Sequence, residues 1–100
     1  MRRALFVAPA RRELLAEVAY YNNKELGLGS RFLSAVEDAT ARALAYPLTG
    51  TLASENTRRM FLKDFPFSLV YRPDDNGIVV FALPHHARRP EYWRERIDDR

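Results

Sequence analysis

The segment HHARRPEYWRER, residues 85–96, gathers four arginines, two histidines and two large aromatics into twelve positions. Further upstream stand Arg58, Arg59, Lys63 and Arg72, which add cations at intervals that suit strands. Residues of these types can cleave RNA, grip a polyanion, or hold a macromolecular partner by charge. Cleaving RNA requires a base for the 2′-hydroxyl, a stabiliser of the phosphorane charge and an acid for the leaving oxygen. Arginine serves the second role well and the others badly, because it hardly ever releases its proton. Lys63 and His86 are the groups able to exchange protons, and a histidine does so near neutrality without any unusual shift. Arg59 and Lys63, four apart on one extended strand, would share a face about 13 Å along it. Tyr92 adds a ring on which an unpaired base could stack.

The same residues also have plainer uses. Strand arginines commonly cover a sheet's solvent face with their aliphatic stems. Trp93 and Ile97 lie four apart, the spacing of one helix face, so Trp93 is expected to anchor the tail. Burying an indole is worth up to roughly 4–6 kcal/mol, comparable with a small domain's net stability. If His85 and His86 continue a strand, they point to opposite faces and cannot share an ion. No His-x-x-x-His spacing occurs and cysteine is absent, so neither a metal nor any other cofactor is expected. The four glycines form no phosphate-binding loop, and no G-x-S-x-G elbow is present.

The elements that must position these residues can be read from the pattern. One hundred residues, 47% hydrophobic and 29% charged, suit one globular domain over residues 1–100. Residues 3–8 read as a strand closed by Pro9, and a helix is expected from Pro9 to Glu25. Leu14, Val18 and Tyr21 form its apolar stripe. LGLGS makes a tight elbow in which Gly27 supplies a left-handed conformation and Ser30 is expected to cap the next helix. Phe32, Val36, Ala39 and Ala43 draw that helix's buried stripe, and Pro47 stops it. Residues 47–57 carry no period and read as a loop. RRMFLKD alternates around Met60 and Leu62, FPF makes a corner, and FSLVYR forms the next strand. In PDDNG, Asn76-Gly77 suits a turn with positive φ. IVVFAL is apolar throughout, so this strand is expected to be covered on both faces. Pro90 opens a short final helix.

Taken together this is an α+β fold: an N-terminal strand, an α-helical hairpin, a three-strand antiparallel meander and a short C-terminal helix. The start, MRRALFVAPARREL, imitates a signal peptide. Its apolar run is only about seven residues and Arg11-Arg12 follow at once, so a cytoplasmic protein is expected. No apolar stretch is long enough to span a bilayer. Fourteen of the sixteen basic residues are arginine and the net charge is +3. Permanent, forked cations suit acidic protein segments or phosphates. The surplus within residues 57–100 is nevertheless small, nine basic against seven acidic residues.

The chain resembles the RelE/ParE superfamily of toxins from type II toxin–antitoxin pairs. The resemblance runs nearly end to end. It rests on APARREL and YYN in the first helix, LGLGSRFLSAVEDA across the elbow, and YP closing the second helix. It continues through RRMFLKDFPFSLVYR and FALPHHARRPEYWRER. It implies a helical hairpin against a small antiparallel sheet, and neutralisation by an antitoxin whose extended or helical segment wraps the toxin. RelE-like members cut mRNA on the ribosome, whereas ParE-like members act on DNA gyrase and lack the nuclease set. Because no assembled acid–base set stands out, the expectation leans to ParE-like gyrase binding without catalysis. A RelE-like endonuclease working without metal would draw on Lys63, Arg72, His86, Arg88 and Tyr92. A third possibility is an inactive relative that only binds. Target or antitoxin contacts are expected from Arg58, Arg59, Arg72, His86, Arg88, Arg89, Tyr92 and Arg94, with Trp93 and Ile97 as structural anchors. The expected partners are a cognate antitoxin bearing an acidic segment and either gyrase or the ribosome with its mRNA.

Overall fold

A computed structural model describes residues 2–88 and 91–98. The elements run β1 (Arg3–Phe6), α1 (Ala8–Lys24), α2 (Leu28–Ala45), β2 (Thr51–Leu52), β3 (Arg58–Phe61), β4 (Ser68–Asp74), β5 (Gly77–Ala82) and α3 (Arg94–Asp98). The architecture is α+β, as the pattern predicted, but the sheet is mixed and has five strands in the order β1-β5-β4-β3-β2. β1 runs parallel to β5, and the remaining pairs are antiparallel. The segment expected to be an irregular loop, 47–57, instead holds β2 and a 3-10 turn at Ser54–Asn56. Two exposed residues give β2 no apolar period to read.

The helices form behind the expected signals, with one correction. Pro9 falls in the first turn of α1, where its missing N–H leaves no bond unmade. At the elbow Gly27 adopts φ +89°, but Ser30 does not cap α2. The helix begins earlier, at Leu28, and the Gly29 N–H donates to Asn22 Oδ1 of α1 at 2.8 Å. The cap therefore comes from the neighbouring helix, and it joins the two arms of the hairpin. α2 ends at Ala45, ahead of Pro47.

Strand alternation splits the sheet into two apolar layers. Met60, Leu69, Tyr71, Ile78 and Val80 face the helices and join Phe32, Val36, Ala39 and Ala43 in the main core. Val70, Val79 and Phe81 face the other way and are covered by Trp93 and Ile97 of the tail. All six residues of β5 are buried, because both layers meet on it. At the β4–β5 turn only Gly77 takes positive φ, at +140°, while the Asn76 N–H donates to Asp74 Oδ1 at 2.8 Å. A side chain at Gly77 would collide with the backbone of Arg3, because β1 passes directly beside it.

Candidate target-binding surface

The surface on the tail side of the sheet is built around Glu13, a residue of α1. Its Oε1 accepts the Leu83 N–H at 3.0 Å and the Tyr92 hydroxyl at 3.1 Å. Its Oε2 pairs with Arg96 Nη2 at 2.7 Å, and Arg96 Nη1 donates to the Phe81 carbonyl at 2.9 Å. One carboxylate thus ties the first helix, the end of β5 and the C-terminal segment together. A carboxylate offers about four acceptor sites, so three donors nearly saturate it.

The Tyr92 ring lies between two guanidinium groups, with Arg88 4.1 Å and Arg96 5.1 Å from its centroid. Burial pushes the Tyr92 phenol above its ordinary value of 10.0. The negative charge of Glu13 and the hydrogen bond to it push the same way, against the weaker opposing pull of Arg96 and Arg88. Tyr92 therefore keeps its proton, and its hydroxyl is committed to Glu13.

Trp93 is 1% exposed and packs with Val70, Val79, Phe81, Ala82 and Ile97. Arg59 lies over the indole with its guanidinium carbon 5.4 Å from the centroid. Arg72 lies similarly over Phe81 at 5.3 Å. In both cases the cation covers an aromatic ring of the tail-side layer while keeping its charge at the surface. Arg94 pairs with Glu55 at 3.4 Å and with Glu91 at 3.3 Å, which links α3 to the turn after β2. These pairs are about half exposed, so their contribution to stability is small.

The two histidines part company. His85 packs its ring edge-on against Phe67 of the helix-side core, at 5.0 Å. His86 lies edge-on to Phe61 at 5.4 Å, and its Nε2 is 3.1 Å from the hydroxyl of buried Ser68. Among the described residues, no group of three potential ligands is arranged to hold a metal ion.

Two predicted residues do not join this surface. Lys63 lies beyond the end of β3, because the strand stops at Phe61 and the chain turns at Asp64, whose φ is +70°. Its side chain lines a cleft with Ser30, Arg31, Ser34 and Asp38, on the helix side, so it does not share a face with Arg59. Arg58 also faces the helix side, paired across the sheet with Tyr71, and donates to the carbonyls of Leu48 and Gly50 at 2.9 Å each. Arg89 and Pro90 lie outside the described residues. The structure thus brings together Arg59, Arg72, His86, Arg88, Tyr92, Arg94, Trp93 and Ile97 and leaves Arg58 and Lys63 on the other side.

Three participants carried no earlier assignment. Phe61 is 51% exposed and sits beside His86. The alternation that buries Met60 and Leu62 places it on Arg59's face, so that signal was present. Glu13 and Arg96 are 83 positions apart. Nothing in the sequence couples them.

A family model described as the ParE toxin of the type II toxin–antitoxin system parDE matches residues 5–90. Among solved structures, one described as a chromosomal ParDE TA system from P. aeruginosa superposes with a TM-score of 0.64 at 20% identity. The match covers 85% of this chain and 96% of that one, and it shows a shared fold. No curated protein sequence matches the chain. No described helix is long and apolar enough to cross a membrane.

Proposed function

The chain belongs to the ParE toxin family of type II toxin–antitoxin systems, and from that premise we propose that it arrests growth by gripping DNA gyrase, making and breaking no bonds itself. The observation that carries this reading is the separation of the proton-transfer groups. Lys63 and His86 stand on opposite sides of the sheet, and the Tyr92 hydroxyl is held by Glu13. What remains on the tail side is a set of guanidinium groups spread over aromatic rings. Such groups recognise carboxylates and phosphates through fixed forks and attract them over distance, but they do not shuttle protons. Arg59, Arg72, Arg88 and Arg94 form the grip, with His86 and Phe61 at its edge.

An antitoxin with an acidic segment neutralises the protein by covering the same cations, through charge pairing that weakens as salt is added. The protein works in the cytoplasm, where both partners reside. Purified gyrase mixed with the protein is expected to lose supercoiling activity or to accumulate cleaved DNA. Undiminished supercoiling at saturating protein would defeat the reading. Codon-specific mRNA ends appearing on translating ribosomes would replace it with endonucleolysis.

A further inference from the structure

We propose that Glu13 is a positioning residue. It fixes the C-terminal segment in the register that presents Arg88 and Tyr92, and so acts on the target through them. The proposal rests on the tail-side surface assigned above. α3 is only five residues long, too short to hold its own shape in water. Its placement depends on what it is fastened to, and two kinds of fastening are present. Trp93 and Ile97 bury apolar surface against β4 and β5, a strong attraction but a non-directional one. Apolar burial holds the indole against Val79 and Phe81 but makes no directional bond that sets the register of the segment.

The bonds to Glu13 are directional. They bring Leu83, Tyr92 and Arg96 to two oxygens of one side chain, at 2.7–3.1 Å. The Glu13 and Arg96 side chains are 16% and 20% exposed, so the pair works where water screens it little. The Tyr92 ring in turn supports Arg88 at 4.1 Å. The indole therefore makes the tail adhere, and the carboxylate fixes where it lies.

The test uses the full chain and the variants Glu13→Gln and Arg96→Gln. In Glu13→Gln the amide oxygen still accepts from Leu83 and Tyr92, but its NH2 faces the Arg96 guanidinium, donor against donor. Arg96→Gln breaks the same pair from the other end. The chain has one tryptophan, so indole fluorescence reports the tail with no competing signal. Both variants are expected to keep the wild-type far-UV dichroism while acrylamide quenching of Trp93 rises. Growth arrest on induction and gyrase inhibition are expected to need roughly 10- to 100-fold more protein, the value of one charge-assisted hydrogen bond. The double variant pairs amide with amide and is expected to recover part of the loss.

Undiminished arrest in either single variant, with or without a change in quenching, overturns the proposal. So does a loss in one variant that the other does not share. If wild-type protein arrests growth while sparing gyrase, the target reading fails, and the comparison of arrest among variants still decides the role of Glu13.

Discussion

Replacing Trp93 in two ways separates its apolar burial from its polar handle. The indole is 1% exposed, and its buried Nε1 has no hydrogen-bond partner among the described residues. Full burial of a side chain this size removes about 150–250 Å² from water, an upper value of roughly 4–6 kcal/mol. Trp93→Ala should forfeit about 3–5 kcal/mol of it, because the site between Val79, Phe81 and Ile97 cannot collapse fully. In a domain of this size each kcal/mol lowers the thermal midpoint by about 4–8 °C, so a fall of roughly 12–40 °C is expected. Trp93→Phe keeps an aromatic ring and gives up an N–H that bonds to none of the described residues. It should cost only about 1–2 kcal/mol, the worth of the lost ring volume with no added penalty for a broken hydrogen bond. Urea unfolding followed by far-UV dichroism gives both values, since neither variant retains the fluorophore. A Phe variant as unstable as the Ala variant would refute the account of Nε1. An Ala variant losing under about 1 kcal/mol would refute the anchor itself.

Tyr92 keeps its proton in the fold beyond the pH at which an unfolded phenol, at about 10, releases it. Its contribution is therefore complete below pH 10 and is lost as pH climbs through the higher folded value. Urea midpoints should fall more between pH 9 and pH 11 in wild type than in Tyr92→Phe, and equal falls would contradict the assignment. Gly29→Ala drives a methyl group into the Val18 carbonyl and the Asn22 side chain, displacing the cross-helix cap. A loss of about 1–3 kcal/mol is expected in the same assay, and a neutral change would rule out the close approach. Arg94→Ala should cost less than about 1 kcal/mol in stability, because its pairs with Glu55 and Glu91 are half exposed, and a larger loss would mark them as structural. Lys63→Ala should arrest growth like wild type on induction, since it stands across the sheet from the proposed grip. Loss of arrest would move the working surface to the helix side.

Features that depend on neighbours in sequence were legible. The stripe of Phe32, Val36, Ala39 and Ala43 is buried throughout, because helical spacing alone aligns those positions. The run IVVFAL marked a strand enclosed on both faces, and the spacing of Trp93 and Ile97 marked the side chains that enclose one of them. Features that depend on distant partners were not legible. Asn22 caps a helix it does not belong to, and β1 is parallel to a strand more than seventy residues away. Lys63 was placed with Arg59 by extending an alternation that ends at Phe61. Glu13 sits in an ordinary helical run, RRELL, and takes on its role only when Leu83, Tyr92 and Arg96 arrive beside it.

The parallel pairing of the first strand with the fifth has a bearing on when the tail-side surface comes together. Ribosomes deliver β1 before β5, its one sheet neighbour among the described residues, which begins at Gly77, and α1 waits still longer for Tyr92 and Arg96. Contacts spanning so much of the polypeptide form late and slowly. A partly synthesised product can thus build its helical hairpin while the tail-side surface is still unassembled.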